Sequence, residues 1–139
     1  MRIRKATKKD FKEIAEILRN ESSKRPYNEE YTLRTALKEI VRCSKNDLYI
    51  AVNEKEIIGF IASSKDKKKA YIGELWLRPI HQGKGVGKTL VKFIEEKYKK
   101  KGVNIIRLVA KKNAEAFKFY KNIKYKEYKE LIFMEKKLK

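Results

Sequence analysis

The chain has 139 residues and a formal net charge of +19, from 37 Lys and Arg against 18 Asp and Glu. That length suits one domain able to bury a core without a disulfide or a metal, and a hydrophobic content of 42% excludes a disordered basic tail. No run approaches the ~18 apolar residues of a membrane span, residues 1–6 lack the apolar centre of a signal peptide, and a lone Cys43 beside a lone His81 excludes a disulfide framework and a Cys/His zinc site, as expected of a cytoplasmic protein.

In chain order, residues 2–6 alternate and predict a short strand. Thr7 followed by Asp10 reads as a capping box, and the apolar spacing of Phe11, Ile14, Ala15, Ile17 and Leu18 predicts a helix over 8–20. Residues 22–28 form a polar loop around Pro26. Leu33, Ala36, Leu37, Ile40 and Val41 predict a second helix over 29–43. The period then changes to two: residues 48–53, 56–63 and 70–77 read as three strands of a meander, joined at Asn53-Glu54-Lys55 and at the charged turn 66–69. A glycine-rich stretch at 83–87 leads into a helix over 87–101, closed by Gly102. A strand follows at 104–110, then a helix over 113–121 with Asn113 as its cap. Two further runs, 124–129 and 131–138, read as strands. The order β-α-α-β-β-β-α-β-α-β-β is that of a mixed α/β (α+β) sheet flanked by helices.

Half of the six glycines fall within five residues, in Gln82-Gly83-Lys84-Gly85-Val86-Gly87-Lys88. Glycines between a strand end and a helix start let backbone N–H groups converge, and the helix terminus adds partial positive charge, so the segment suits a phosphate. It is not a Walker loop: Gly87-Lys88-Thr89 supplies the ending, but position 82 is Gln where the first glycine is needed, and all three Asp lie upstream. Nor is it a dinucleotide fingerprint, since position 90 is Leu and the preceding strands form a meander.

Pro79-x-x-Gln82-x-x-Gly85-x-Gly87 resembles the pyrophosphate loop of the GNAT N-acetyltransferase superfamily. The preceding Glu74-Leu75-Trp76-Leu77 is similar to that family's central strand. Asn113-Ala114-x-Ala116-x-x-x-Tyr120 resembles its Asn-x-x-Ala-x-x-x-Tyr helix, and residues 132–138 its last strand. Two departures stand out. Lys124-Tyr125 occupies the place of a usual glycine–phenylalanine pair, and residues 107–110 lack the Glu that some N-terminal acetyltransferases carry there.

The resemblance covers nearly the whole chain and implies a GNAT-type, mostly antiparallel sheet flanked by helices, a single N-acetyltransferase domain over 1–139, and acetyl transfer from acetyl-CoA to a primary amine without a metal. It wraps the pyrophosphate in Gly83, Lys84, Gly85, Val86, Gly87 and Lys88, with Gln82 opening this cofactor-binding loop. The pantetheine arm lies along the backbone of Leu75, Trp76 and Leu77, with the Leu77 N–H as oxyanion donor. Asn113, Phe117 and Tyr120 contact the cofactor. Tyr120 is the candidate general acid for the leaving thiolate. Glu74, placed by period-two alternation on the face of Ile72 and Trp76, is the candidate base. The acceptor, a protein N-terminus, a lysine or a small-molecule amine, would meet Arg25, Tyr27, Tyr31, Tyr125 and Tyr128. The expected partners are acetyl-CoA and that amine, with no membrane, for a monomer or homodimer. The charge also raises a second reading, a basic nucleic-acid- or ribosome-associated module without catalysis. Against it, 29 Lys with only 8 Arg, together with 15 Glu and 15 Ile, is a composition typical of heat adaptation.

Overall fold

A computed structural model describes residues 1–139. Its elements run β1 (Arg2–Lys5), α1 (Phe11–Ser22), α2 (Leu33–Cys43), β2 (Asp47–Asn53), β3 (Glu56–Asp66), β4 (Lys69–Leu77), α3 (Val86–Lys100), β5 (Ile105–Arg107) and α4 (Glu115–Asn122). They fall into two compact units, Met1–Val109 and Ala110–Lys139.

In the first unit a five-stranded sheet has the order β1-β2-β3-β4-β5. The first four strands are antiparallel to their neighbours, and β5 joins β4 in parallel. The expected mixed, mostly antiparallel α/β architecture is therefore present. One face of the sheet carries Leu48, Ile50, Val52, Phe60 and Ala62 into a core with Ile14, Leu18, Ala36 and Ile40 of α1 and α2. The other face meets α3. There the fully buried Tyr98 donates its hydroxyl hydrogen bond to Asp47 at 2.6 Å and lies 2.8 Å from the Ser63 hydroxyl. The Phe93 ring packs 4.9 Å from that of Tyr49.

Local chemistry sets the helix boundaries. Asp10 accepts the Thr7 N–H at 2.8 Å, as a capping box requires. A 3₁₀ turn over Lys8–Asp10 precedes α1, so the α-helix starts at Phe11 rather than at residue 8. The second helix starts at Leu33, not 29, because the Thr32 hydroxyl accepts the Thr35 N–H at 3.1 Å and fixes the start. At the end of α3, the N–H of Val103 reaches the carbonyl of Tyr98 and that of Gly102 reaches Lys99. This is the paired termination that puts a glycine at positive φ, here +82° for Gly102.

Two strands of the meander carry an extra residue. The β3–β4 register passes from Ser63↔Ile72 to Ala62↔Glu74, leaving Gly73 without an opposite number. Directly opposed residues of an antiparallel pair share a face, so this bulge moves Glu74 to the face opposite Ile72. Glu74 keeps company with Trp76 alone, and the expected shared face with Ile72 is corrected.

The second unit contains α4 and the segment after it. Its helix begins at Glu115 with Ala114 as cap residue, so Asn113 lies one residue outside and is not the cap that was expected. The expected strands 124–129 and 131–138 are absent. Alternation alone does not make a strand without a hydrogen-bonded neighbour, and Leu131, Ile132, Phe133 and Met134 are exposed. β5 is likewise three residues long rather than seven.

Candidate functional site

The end of β4 is an open edge. β5 pairs with β4 only at Lys69, Ala70 and Tyr71, so residues 72–77 continue with a strand partner on the β3 side alone. The direction of each peptide there follows from two contacts. The Arg78 N–H donates to the Ile58 carbonyl at 2.9 Å, and the Trp76 carbonyl faces β3, 2.9 Å from where a side chain on Gly59 would begin. Peptide directions alternate along a strand, so the N–H and C=O of Leu77 point away from β3, into the open side. Gly59 is required here by close approach, since a Cβ would lie 2.9 Å from the Trp76 carbonyl oxygen and would also crowd the Leu77 side chain. Arg78 pins the strand end further, donating from Nε to the Ile57 carbonyl at 2.7 Å and from its guanidinium to Glu13 at 3.0 Å.

The glycine loop follows at once. Pro79–His81 makes one 3₁₀ turn, and Gly83 and Gly85 then take φ of +74° and +86°. A Cβ at either would meet nothing within 4 Å, so the glycines answer to backbone conformation and not to packing. Gly87 lies buried in the first turn of α3. The N–H of Gln82 is satisfied by Pro79 and that of Thr89 by Gly85, but no acceptor engages the six N–H groups of residues 83–88. The first turn of α3 holds no acid, and Lys84 and Lys88 are exposed beside it. Six uncommitted donors at a positive helix end suit an anionic group. Gln82 closes the loop's mouth with one amide group, donating at 2.9 Å to the Leu77 carbonyl and at 2.9 Å to Glu21.

On the α1–α2 face of the same strand, the Trp76 ring nitrogen donates to Glu74 at 2.6 Å. Burial pushes the Glu74 carboxyl up; the Trp76 hydrogen bond pulls it back, and the like charges of Glu39 and Glu29 push it up again. Tyr31 is pushed up to about 12, by burial first and then by Glu74, Glu39 and Glu29. Tyr27 sets its ring edge-on against Trp76, 4.8 Å between centroids. Glu74, Trp76, Tyr27 and Tyr31 thus gather beside the open edge of β4, where acids and aromatic rings suit a cationic group. Cys43 is buried and its thiol is pushed up to about 12, which keeps it protonated and unreactive. No set of three or more His, Cys, Asp or Glu side chains is placed to hold a metal ion.

The first unit therefore brings together Glu74, Leu75, Trp76, Leu77 and the loop 82–88. Asn113, Phe117 and Tyr120 belong to the second unit, where their i, i+4, i+7 spacing sets them along one side of α4 and the residue before it. Asn113 is exposed, and Tyr120 is buried between the rings of Phe119 and Tyr125, at 4.9 and 5.2 Å. The α4 terminus repeats the α3 pattern, with Tyr125 N–H to Tyr120 and Lys124 N–H to Lys121. Lys124 holds φ of +78° there, a conformation that favours glycine. Sequence reasoning did not find Glu21 or Arg78; their contacts span 61 and 65 residues, and no local spacing signals them.

A family description, "Acetyltransferase (GNAT) family", matches residues 11–125. A spermidine N(1)-acetyltransferase of Thermoplasma acidophilum is 38% identical over 96 residues, a stretch spanning 66% of this chain and 60% of that protein. Among solved structures, a PaiA N-acetyltransferase from Thermoplasma acidophilum in complex with coenzyme A is 30% identical, with a TM-score of 0.75 over 90% of this chain and 89% of the other. An aminoglycoside 6'-N-acetyltransferase from Acinetobacter haemolyticus shares the fold at a TM-score of 0.81, covering 100% of both chains at 16% identity.

Proposed function

The chain belongs to the acetyltransferase (GNAT) family, and from that premise we propose that it transfers an acetyl group from acetyl-CoA to a primary amine, with a small polycationic amine of the spermidine type as acceptor. The observation that carries the acetyl-CoA half is the run of six unengaged N–H groups at residues 83–88, set directly after the open edge of β4. The pyrophosphate would sit on Gly83, Lys84, Gly85, Val86, Gly87 and Lys88, with Gln82 shaping the mouth of the loop through its side chain. The pantetheine amides would pair as an added strand with Leu75 and Leu77, whose peptides face the open side, while that of Trp76 faces β3. The acceptor half is supported by the acids and rings around Glu74 and by the spermidine-acetylating relative. The family match crosses residue 110, which supports reading 1–139 as one N-acetyltransferase domain.

Acetyl-CoA supplies the activated acetyl thioester; the chain's own groups handle protons and charge. An amine enters as ammonium and must lose a proton before it can attack. Glu74, its carboxyl raised by burial, is the group to take it. The Leu77 N–H points to the open side, where it would meet the negative charge that grows on the thioester oxygen. Tyr120 would return a proton to the departing thiolate, with Asn113 and Phe117 alongside as cofactor contacts. These last three roles rest on the family resemblance of α4.

The direct test is thiol release from acetyl-CoA over a panel of polyamines, aminoglycosides and N-terminal and lysine peptides. Turnover confined to polyamines is the expected result, and turnover with peptides alone would overturn the acceptor assignment. Gly85→Glu places a charged side chain at the anion cradle and should abolish acetyl-CoA binding in calorimetry. Undiminished affinity in that variant would remove the loop from the cofactor site.

A further inference from the structure

Glu21 stands next to last in α1, 6% exposed. Its carboxylate accepts one amide hydrogen of Gln82 at 2.9 Å, and the Lys24 ammonium reaches both of its oxygens at 3.0 Å. The second amide hydrogen of Gln82 goes to the Leu77 carbonyl at 2.9 Å. Gln82 is itself on the surface, and a surface glutamine ordinarily samples many rotamers. Here both of its donors are used, so the end of β4 and the mouth of the glycine loop are held at a fixed separation. A charge-assisted hydrogen bond is stronger and shorter than a neutral one, so a carboxylate makes a firmer anchor than a hydroxyl or amide. Lys24 offsets the negative charge that would otherwise stand beside an anion site, and it belongs to the connection that carries Tyr27 to Trp76.

We propose that Glu21 is a positioning residue for acetyl-CoA: through Gln82 it sets the Leu77 peptide and the first free N–H of the glycine loop in the arrangement that receives thioester and pyrophosphate. The inference rests on the acetyl-CoA reading above. It predicts a response specific to the cofactor. Glu21→Leu removes the acceptor while keeping bulk, and should raise the Kd for acetyl-CoA roughly tenfold and lower kcat. Glu21→Gln retains an oxygen that can accept from Gln82, and should return the Kd to within about threefold of the parent. In a double-mutant cycle, adding Glu21→Leu to Gln82→Leu should cause no further loss, because both act through one contact.

The experiment is titration of each variant with acetyl-CoA, alongside its Tm and its kcat and KM. A folded Glu21→Leu with parental Kd overturns the proposal, as does additivity with Gln82→Leu or a Glu21→Gln as impaired as Glu21→Leu. If Glu21→Leu does not fold, Gln82→Leu carries the test, and parental affinity in it counts against the proposal equally. Failure of the parent protein to bind acetyl-CoA is a different outcome, which removes the cofactor reading itself.

Discussion

At the residue scale, two side chains carry the proposed chemistry and each makes a separable prediction. Tyr120→Phe removes only a hydroxyl and leaves the ring between Phe119 and Tyr125. If that hydroxyl returns the proton to the thiolate, kcat falls by roughly 10²-fold while the Kd for acetyl-CoA is kept; an unchanged kcat across the pH range would exclude it. Glu74 predicts a dependence of stability on pH. Its folded-state carboxyl titrates above its unfolded value, so the folded chain binds the extra proton and stability falls as pH rises between the two. Glu74→Gln should therefore melt higher than the parent at neutral pH, the gap closing as pH drops below the unfolded carboxylate range. The same variant should lose the acid limb of kcat/KM. The opposite sign appears at Asp10, held down to about 2 by the Arg4 guanidinium, where stability is present above the unfolded value and lost as pH falls toward 2. Glu74 also marks a limit of sequence reading. Its identity was visible in the strand, but its face was not, because Gly73 inserts a residue that reverses the alternation. An isolated glycine inside a strand pattern is the one local signal for such a bulge.

At the element scale, the helices and the meander were legible because burial enforces their periods. The glycine loop was legible because positive φ selects glycine at residues 83 and 85. What remained hidden depends on partners distant in sequence: the Gln82–Glu21 contact, the open side of the Leu77 peptide, and whether a tail of alternating residues finds a neighbour. The two helix ends offer a controlled comparison. α3 and α4 close with the same pair of hydrogen bonds, around Gly102 in one and Lys124 in the other, at φ of +82° and +78°. A residue with a Cβ costs about 1 kcal/mol in that conformation relative to glycine. Lys124→Gly should accordingly stabilise the chain by about 1 kcal/mol, and Gly102→Lys should destabilise it by a similar amount. Equal denaturation midpoints for Lys124→Gly and the parent would show that the terminus of α4 adds nothing to the cooperative unit.

At the scale of the whole molecule, a charge of +19 whose composition is typical of heat adaptation can also attract two kinds of polyanion, and these differ in their salt dependence. A site built for a polyanionic cofactor concentrates its charge effect at Lys84 and Lys88 beside the free N–H groups. A surface built for nucleic acid spreads it over many phosphate contacts, each of which releases a counterion. The Kd for acetyl-CoA should then rise gently between about 50 and about 500 mM KCl, since ions of a few charges meet at short range and screening grows as the Debye length shrinks from about 14 to about 4 Å. RNA binding measured over the same range should collapse, with a steep log–log slope, if lysines scattered over the surface are its only source. Lys84→Ala and Lys88→Ala should flatten the acetyl-CoA dependence and leave the RNA slope nearly unchanged. RNA affinity that survives high salt, paired with acetyl-CoA binding indifferent to both substitutions, would reverse the assignment and make the polynucleotide the ligand for which this surface is built.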